Sequence, residues 1–295
     1  MKEYKTNDEL IEILTSKGVI INDRDFAIKN ISKYSYYSII NTYKSLFKIN
    51  SDYKKGTKFE EILAIYKFDK SLKVIFLKYI LEIEAIIKSY IANTIGENYS
   101  IDNYLNVNIF DDKGNDKIKL AIQNIISAIN NEIIKNIGKH EAITHYKNKY
   151  DFVPPWVLTK ILSLGTTSKF YGLMKQTDKQ KISKVFGLSD NILKMILGNL
   201  TTIRNICAHD DRLFDYRSTF YININKVSGY SEKRKHPTTT LFIIILAIKK
   251  LLDDDTYTNF IDEINSEFNE LESILTTISV KDIKSIMGFY SGFER

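Results

Sequence analysis

The chain has 295 residues, 44% of them hydrophobic and 26% charged, ordinary values for a globular protein long enough to bury a sizeable core. Three prolines and twelve glycines are too few for a many-stranded sandwich or barrel, and the single cysteine, Cys207, excludes a disulfide framework and a cysteine-built zinc site. The net charge of +6 hides a division, because the last 43 residues hold ten acids against three bases and leave the positive excess to the first 252.

Helical periodicity runs through almost the whole sequence. Thr6 or Asn7 caps a first helix with Asp8 and Glu9 in its first turn and Gly18 at its end. Residues 23–32 and 34–48 read as two further short helices, the second rich in tyrosine. Thr57-Lys58-Phe59-Glu60 reads as a capping box that opens a long helix. Its apolar residues, from Phe59 and Ile62 to Ile83 and Ile86, recur at three- and four-residue spacing as far as Gly96. A turn cluster at 111–115 precedes a helix over 116–137, and Pro154-Pro155 is the strongest punctuation in the chain. Ser189-Asp190 caps a helix with the stripe Ile192, Leu193, Ile196, Leu197, Leu200, Ile203 and Cys207. Phe220 to Asn225 alternates and predicts a short extended piece, Pro237-Thr238 opens an apolar helix to Leu252, and an acidic amphipathic helix covers 256–276. The fold class is therefore all-α. It divides into an N-terminal helical region (1–55), a helical core (56–252, with a candidate internal boundary near 151–155) and an acidic C-terminal helical region (253–295).

The first residues, MKEYKTNDELIEILTS, lack the apolar centre of a signal peptide, and the longest uncharged apolar run, Leu241 to Ile248, is too short to span a bilayer. With one cysteine, a cytoplasmic protein is expected, without membrane contact. A basic body suits a polyanion partner, since each lysine or arginine on a phosphate releases counterions; solvated lysine-rich helices account for the same charge.

The stretch with most chemistry is TTIRNICAHDDRLFDYR, residues 201–217. Arg204 carries a permanent charge that can neutralise a developing phosphorane, and His209 is the side chain that moves protons near neutral pH. Six arginines and four histidines give about 0.08 such pairs by chance, so the spacing alone is a moderate signal. On a straight helix Arg204 and His209 lie about 140° apart, whereas Asn205 and His209 share a face. One helix cannot close both around a phosphate unless it ends before His209; otherwise a second copy must supply the missing group, which favours a symmetric dimer with a composite cleft. The plainer alternative pairs Arg204 with Asp210 or Asp211 and leaves His209 as a helix end.

Arg212 and Arg217 are further candidate phosphate contacts, and Lys233, Arg234 and Lys235, beside Tyr230 and His236, form a basic loop that contacts RNA or is merely solvated. His140 and His145 stand five apart, one residue more than a helical zinc pair needs, so no metal is expected. Glu84, set among apolar neighbours, is either a partner for Arg204 or a boundary glutamate.

Four blocks carry a family resemblance: Tyr34-Ser35-Tyr36-Tyr37; Ile65 to Leu72 with Ile83-Glu84; Pro155-Trp156 with Leu164-Gly165; and Leu200 to His209 with Arg212-Leu213. On these the chain resembles the abortive-infection family of the AbiD/AbiF type, and its Arg-Asn-x-x-x-His resembles the HEPN ribonucleases. Lys70 and Lys73 stand where family members often carry arginines. The resemblance implies a multi-helix HEPN-type domain with an N-terminal helical extension, dimeric, acting in antiphage abortive infection or a toxin–antitoxin-like system. It further implies a metal-independent endoribonuclease without cofactor, with RNA as substrate and a small structured non-coding RNA as a further partner. In that reading His209 is general base on the ribose 2′-hydroxyl or general acid on the leaving 5′-oxygen, and Arg204 holds the scissile phosphate. Asn205 orients His209 or hydrogen-bonds a phosphate oxygen. A second function class also fits the sequence: a non-catalytic helical RNA-binding protein that scaffolds a ribonucleoprotein.

Overall fold

Short polar side chains decide where the helices begin. Thr6, rather than Asn7, caps α1 (Asn7–Ser16): its hydroxyl accepts the Glu9 N–H at 3.3 Å, and the Glu9 carboxylate accepts the Thr6 N–H at 2.7 Å. Asp23 caps α2 (Arg24–Tyr34), accepting from the Phe26 N–H at 2.8 Å. The computed structural model describes residues 3–223, 225–228 and 238–289.

The tyrosine-rich segment expected as one helix over 34–48 is broken. Ser35 ends α2 in the left-handed region at φ +67°, and its hydroxyl accepts the Ser38 N–H at 3.3 Å, starting a new direction. A π-helical turn, Tyr37–Asn41, and a 3-10 turn, Lys44–Phe47, follow before the ribbon of β1 (Lys48–Ile49) and β2 (Asp52–Tyr53).

The spine is α3 (Phe59–Asn98), 40 residues and about 60 Å long. Only half of a capping box forms, one residue later than the sequence suggests. Glu61, not Glu60, accepts the Lys58 N–H at 3.1 Å, while the Thr57 hydroxyl donates to the Lys54 carbonyl at 2.8 Å. Around α3 come α4 (Asp116–Asn136), α5 (Glu141–Tyr150), α6 (Pro155–Leu158), α7 (Leu164–Leu173), α8 (Gln176–Val185) and α9 (Asp190–His209). The chain continues through α10 (Asn225–Ser228), α11 (Leu241–Ile248), α12 (Asp254–Ile274) and α13 (Val280–Met287). A second antiparallel ribbon pairs β3 (Arg217–Ser218) with β4 (Thr239–Thr240). The alternating stretch after Phe220 is not a strand, because the Thr239 hydroxyl replaces the ladder there: it accepts the Ile222 N–H at 2.9 Å and donates to the Phe220 carbonyl at 2.8 Å. Thr240 caps α11, which stops at Ile248 and buries all its residues.

The described chain is thus all-α apart from these two short ribbons, and one hydrophobic core extends from Ile11 to Met287. The acidic α12 lies along α3, with Phe68 on Phe268 and Tyr79 on Phe260 at ring distances of 5.2 and 5.0 Å. Beyond α12 the chain is fixed by Glu61, whose buried carboxylate accepts the N–H groups of Thr276 and Thr277 at 2.5 and 2.6 Å and the Thr277 hydroxyl at 2.7 Å. Burial alone raises that carboxyl, but these donors more than offset it and hold it below the ordinary glutamate value. Among the described residues no helix is long and apolar enough to cross a membrane.

Candidate functional site

The candidate residues sit at the C-terminal end of α9. Ser189 caps the helix by accepting the Ile192 N–H, and Ile192, Leu193, Ile196, Leu197, Leu200 and Ile203 are buried on one face. That stripe packs α9 on α3 and turns Asn205 and His209 outward, where both are exposed. The helix runs unbroken through His209 and stops only at Asp210, whose φ of +58° gives a left-handed C-cap. The route in which the helix ends before His209 is therefore closed. Arg204 and His209 keep their angular separation of about 140°.

Asp210 is unavailable to Arg204 because Lys73 of α3 holds it in a short ion pair. Lys73 is buried and also lies 3.9 Å from Asp69. Asp69 is the anchor of the region: fully buried, it accepts the Tyr43 hydroxyl at 2.8 Å, the Phe214 N–H at 2.7 Å and the Leu213 N–H at 3.1 Å. Burial raises its carboxyl above the ordinary aspartate value, against the pull of these donors and of Lys73. The turn after α9 is thus bolted to α3, which fixes the height at which α9 ends.

Around this anchor the candidate groups remain unpaired. Among the described residues Arg204 meets no carboxylate, and its Nε is buried with no acceptor. The His209 side chain makes no hydrogen bond or ion pair among them either. Cys207, half-buried beside them, has its thiol pushed up to about 12 by burial and by the charge of Asp69, so it stays protonated and is a poor nucleophile.

The family model described as Abi-like protein matches residues 29–215, from the middle of α2 through the whole of α9 to the bolted turn. That is well over half of the chain. The chain belongs to the Abi-like protein family. Membership points to a role in abortive infection. No curated protein and no solved structure matches the chain.

The other candidate residues of this Abi-like protein are placed as follows. Arg212 is engaged in holding the turn: its Nε donates to Asp215 at 2.9 Å, its Nη2 lies 2.5 Å from the same carboxylate, and its Nη1 donates to the Thr42 carbonyl at 2.7 Å. Arg217, on β3, donates to the Tyr216 carbonyl at 2.9 Å and to the Ile286 carbonyl of α13. Lys233, Arg234 and Lys235 lie outside the described residues. Glu84 pairs with Lys88 at 2.6 Å, one turn along α3, and not with Arg204. His140 precedes α5 while His145 lies within it, its ring edge-on to Tyr146 at 5.5 Å, so the two histidines do not share a helical face.

Sequence reasoning missed Asp69 and Tyr43 as parts of this region. The signal was legible for Asp69, since Asp69 and Lys73 are a charged i,i+4 pair set among the apolar residues of the buried face of α3.

Proposed function

We propose that this Abi-like protein is an endoribonuclease of an abortive-infection system, working as a homodimer in which Arg204, Asn205 and His209 of both copies line one cleft. One observation carries the reading: at the end of α9 Arg204 meets no carboxylate and the His209 side chain no partner among the described residues, with Asp210 and Asp215 drawn into other ion pairs and Asp211 exposed and unpaired. An arginine left without a carboxylate is free to meet an anion.

The reaction is transesterification within the RNA. The 2′-hydroxyl loses its proton and attacks the adjacent phosphorus, the bond to the 5′-oxygen breaks, and that oxygen takes up a proton. The products are a 2′,3′-cyclic phosphate and a 5′-hydroxyl. The nucleophile belongs to the substrate, so this stoichiometry needs no metal and no external co-reactant. His209 serves as the base or the acid, each step worth about 10²–10⁴-fold, and a dimer brings two copies for the two jobs. Arg204 reaches two phosphate oxygens with its planar fork and neutralises the charge that grows on them. Asn205 shares the face of His209 and orients its imidazole or donates to the phosphate. The basic first 252 residues supply the field that gathers RNA, including a small structured non-coding RNA as a resident partner.

Mixed subunits test both chemistry and composition. Arg204→Ala and His209→Ala proteins are each expected to be inactive, and His209→Ala protein co-expressed in equal amount with wild type is expected to lower cleavage to about a quarter, because only a quarter of random pairs keep both histidines in the shared cleft. Cleavage by His209→Ala at the wild-type rate would sink the proposal. An inactive His209→Ala protein that leaves half of the wild-type cleavage in the equal mixture would remove the shared cleft and leave the chemistry.

A further inference from the structure

A groove with a cavity volume of about 750 Å³ runs between α4, α7 and α9, on the outward side of α9. Its floor is apolar, with Ile125, Leu173 and Met195. Lys169 and Lys194 flank it, both exposed, and no acidic side chain lines it. Neither lysine is in an ion pair among the described residues, whereas Lys73, Lys78, Lys88 and Lys147 all are. Lys194 lies flat across α7: a side chain at Gly172 would meet its Cε at 3.3 Å and its Nζ at 3.9 Å. The glycine therefore leaves room for an ammonium that stays beside the groove.

At the rim Phe220 keeps its ring 55% exposed, yet its backbone is fixed from two sides. Its carbonyl accepts the Asn199 side-chain amide at 3.0 Å and the Thr239 hydroxyl at 2.8 Å. Asn199 is fully buried and is itself held by the Tyr216 hydroxyl at 2.9 Å. An exposed aromatic ring on a rigid base beside two uncompensated lysines is the pairing that binds a base by its face and its phosphate by charge. The groove between α2, α3 and α12, about 550 Å³, makes the contrast, because Glu60, Glu267 and Glu270 face Lys67 and Lys70 there and favour no anion. Position agrees with charge. Thr201, in the wall of the first groove, stands one turn before Asn205, which stands one turn before His209. Groove and candidate cleft follow one another along one face of α9, about 12 Å apart.

We infer that this groove binds one or two unpaired nucleotides of an RNA strand, the base against Phe220 and the apolar floor, the phosphates at Lys169 and Lys194. The inference rests on the RNA reading above and goes beyond it by placing the strand that flanks the cleaved bond.

The test uses full-length His209→Ala protein, which cannot consume its ligand, and a short fluorescein-labelled single-stranded RNA of mixed sequence, titrated by anisotropy between about 50 and 200 mM salt. Adding Lys169→Gln with Lys194→Gln is expected to lower the slope of log affinity against log salt by about 1.4, two released counterions at the single-strand value. Adding Phe220→Ala is expected to weaken binding roughly fivefold or more and leave that slope unchanged. Parent protein that binds RNA with affinity and slope untouched by all three changes would overturn the groove and spare the ribonuclease reading. A parent that binds no RNA would overturn both. Should the lysine variant fall from dimer to monomer by light scattering with RNA affinity intact, the groove belongs to a second copy, and the RNA assignment fails.

Discussion

Residues 204–209 and 210–215 adjoin in sequence and differ in how their charges are spent. In the second stretch Asp210 is paired with Lys73, Arg212 with Asp215, and the N–H groups of Leu213 and Phe214 with Asp69, and Asp211 alone keeps a carboxylate unpaired among the described residues. In the first, Arg204 finds no carboxylate among the described residues and His209 points outward. Buried paired charge holds a chain in place and is expensive to break. A charge left without a partner stays open to a ligand. The contrast teaches that being charged does not separate scaffold from site in this helix end; having a partner does.

Three substitutions break or sharpen that contrast. The largest effect is expected at Asp69→Ala, which leaves Lys73 buried beside a lost partner and two N–H groups unsatisfied, a cost of about 3–5 kcal/mol in urea unfolding. A loss under about 1 kcal/mol would show that the turn is not bolted through this carboxylate. Glu61→Gln extends the comparison to another buried carboxylate, at about 1–3 kcal/mol near neutral pH. Here the sign is fixed by the lowered carboxyl: its contribution is fully present above the ordinary value of 4.5 and fades as pH falls through the lower folded value. The gap in melting temperature between wild type and Glu61→Gln should therefore narrow below that pH; a gap that widens on acidification contradicts the assignment. His209→Ala should be smallest, within about 0.5 kcal/mol. Strong destabilisation there would return His209 to the scaffold.

Much of this was legible in the sequence, and the reasons for the rest are physical. The stripe from Ile192 to Ile203 and the cap at Ser189 gave the placement of α9, because both signals are local. The angular argument on Arg204 and His209 also held once the helix proved continuous to His209. Partners were not legible. Asp69 and Phe214 are 145 positions apart, and nothing in either neighbourhood names the other. Ser35 hides a helix break because a serine at positive φ carries no composition signal of the kind glycine does. The groove beside α9 was invisible for a related reason: Lys169, Lys194 and Phe220 come from three elements, and what distinguishes the lysines is the acids they do not meet.

The length of α3 has a consequence for synthesis. Two of its buried carboxylates are made early and their partners late: Glu61 waits for Thr276 and Thr277, and Asp69 for Leu213 and Phe214. A nascent chain emerging from the ribosome therefore carries α3 with Asp69 uncovered until residues 213 and 214 are out, and Glu61 waits until residues 276 and 277 follow. The end of α9 cannot take its final height before the turn behind it has been translated. Arg204 and His209 thus reach their final placement only after residues 213 and 214 have left the tunnel, although both are made before them.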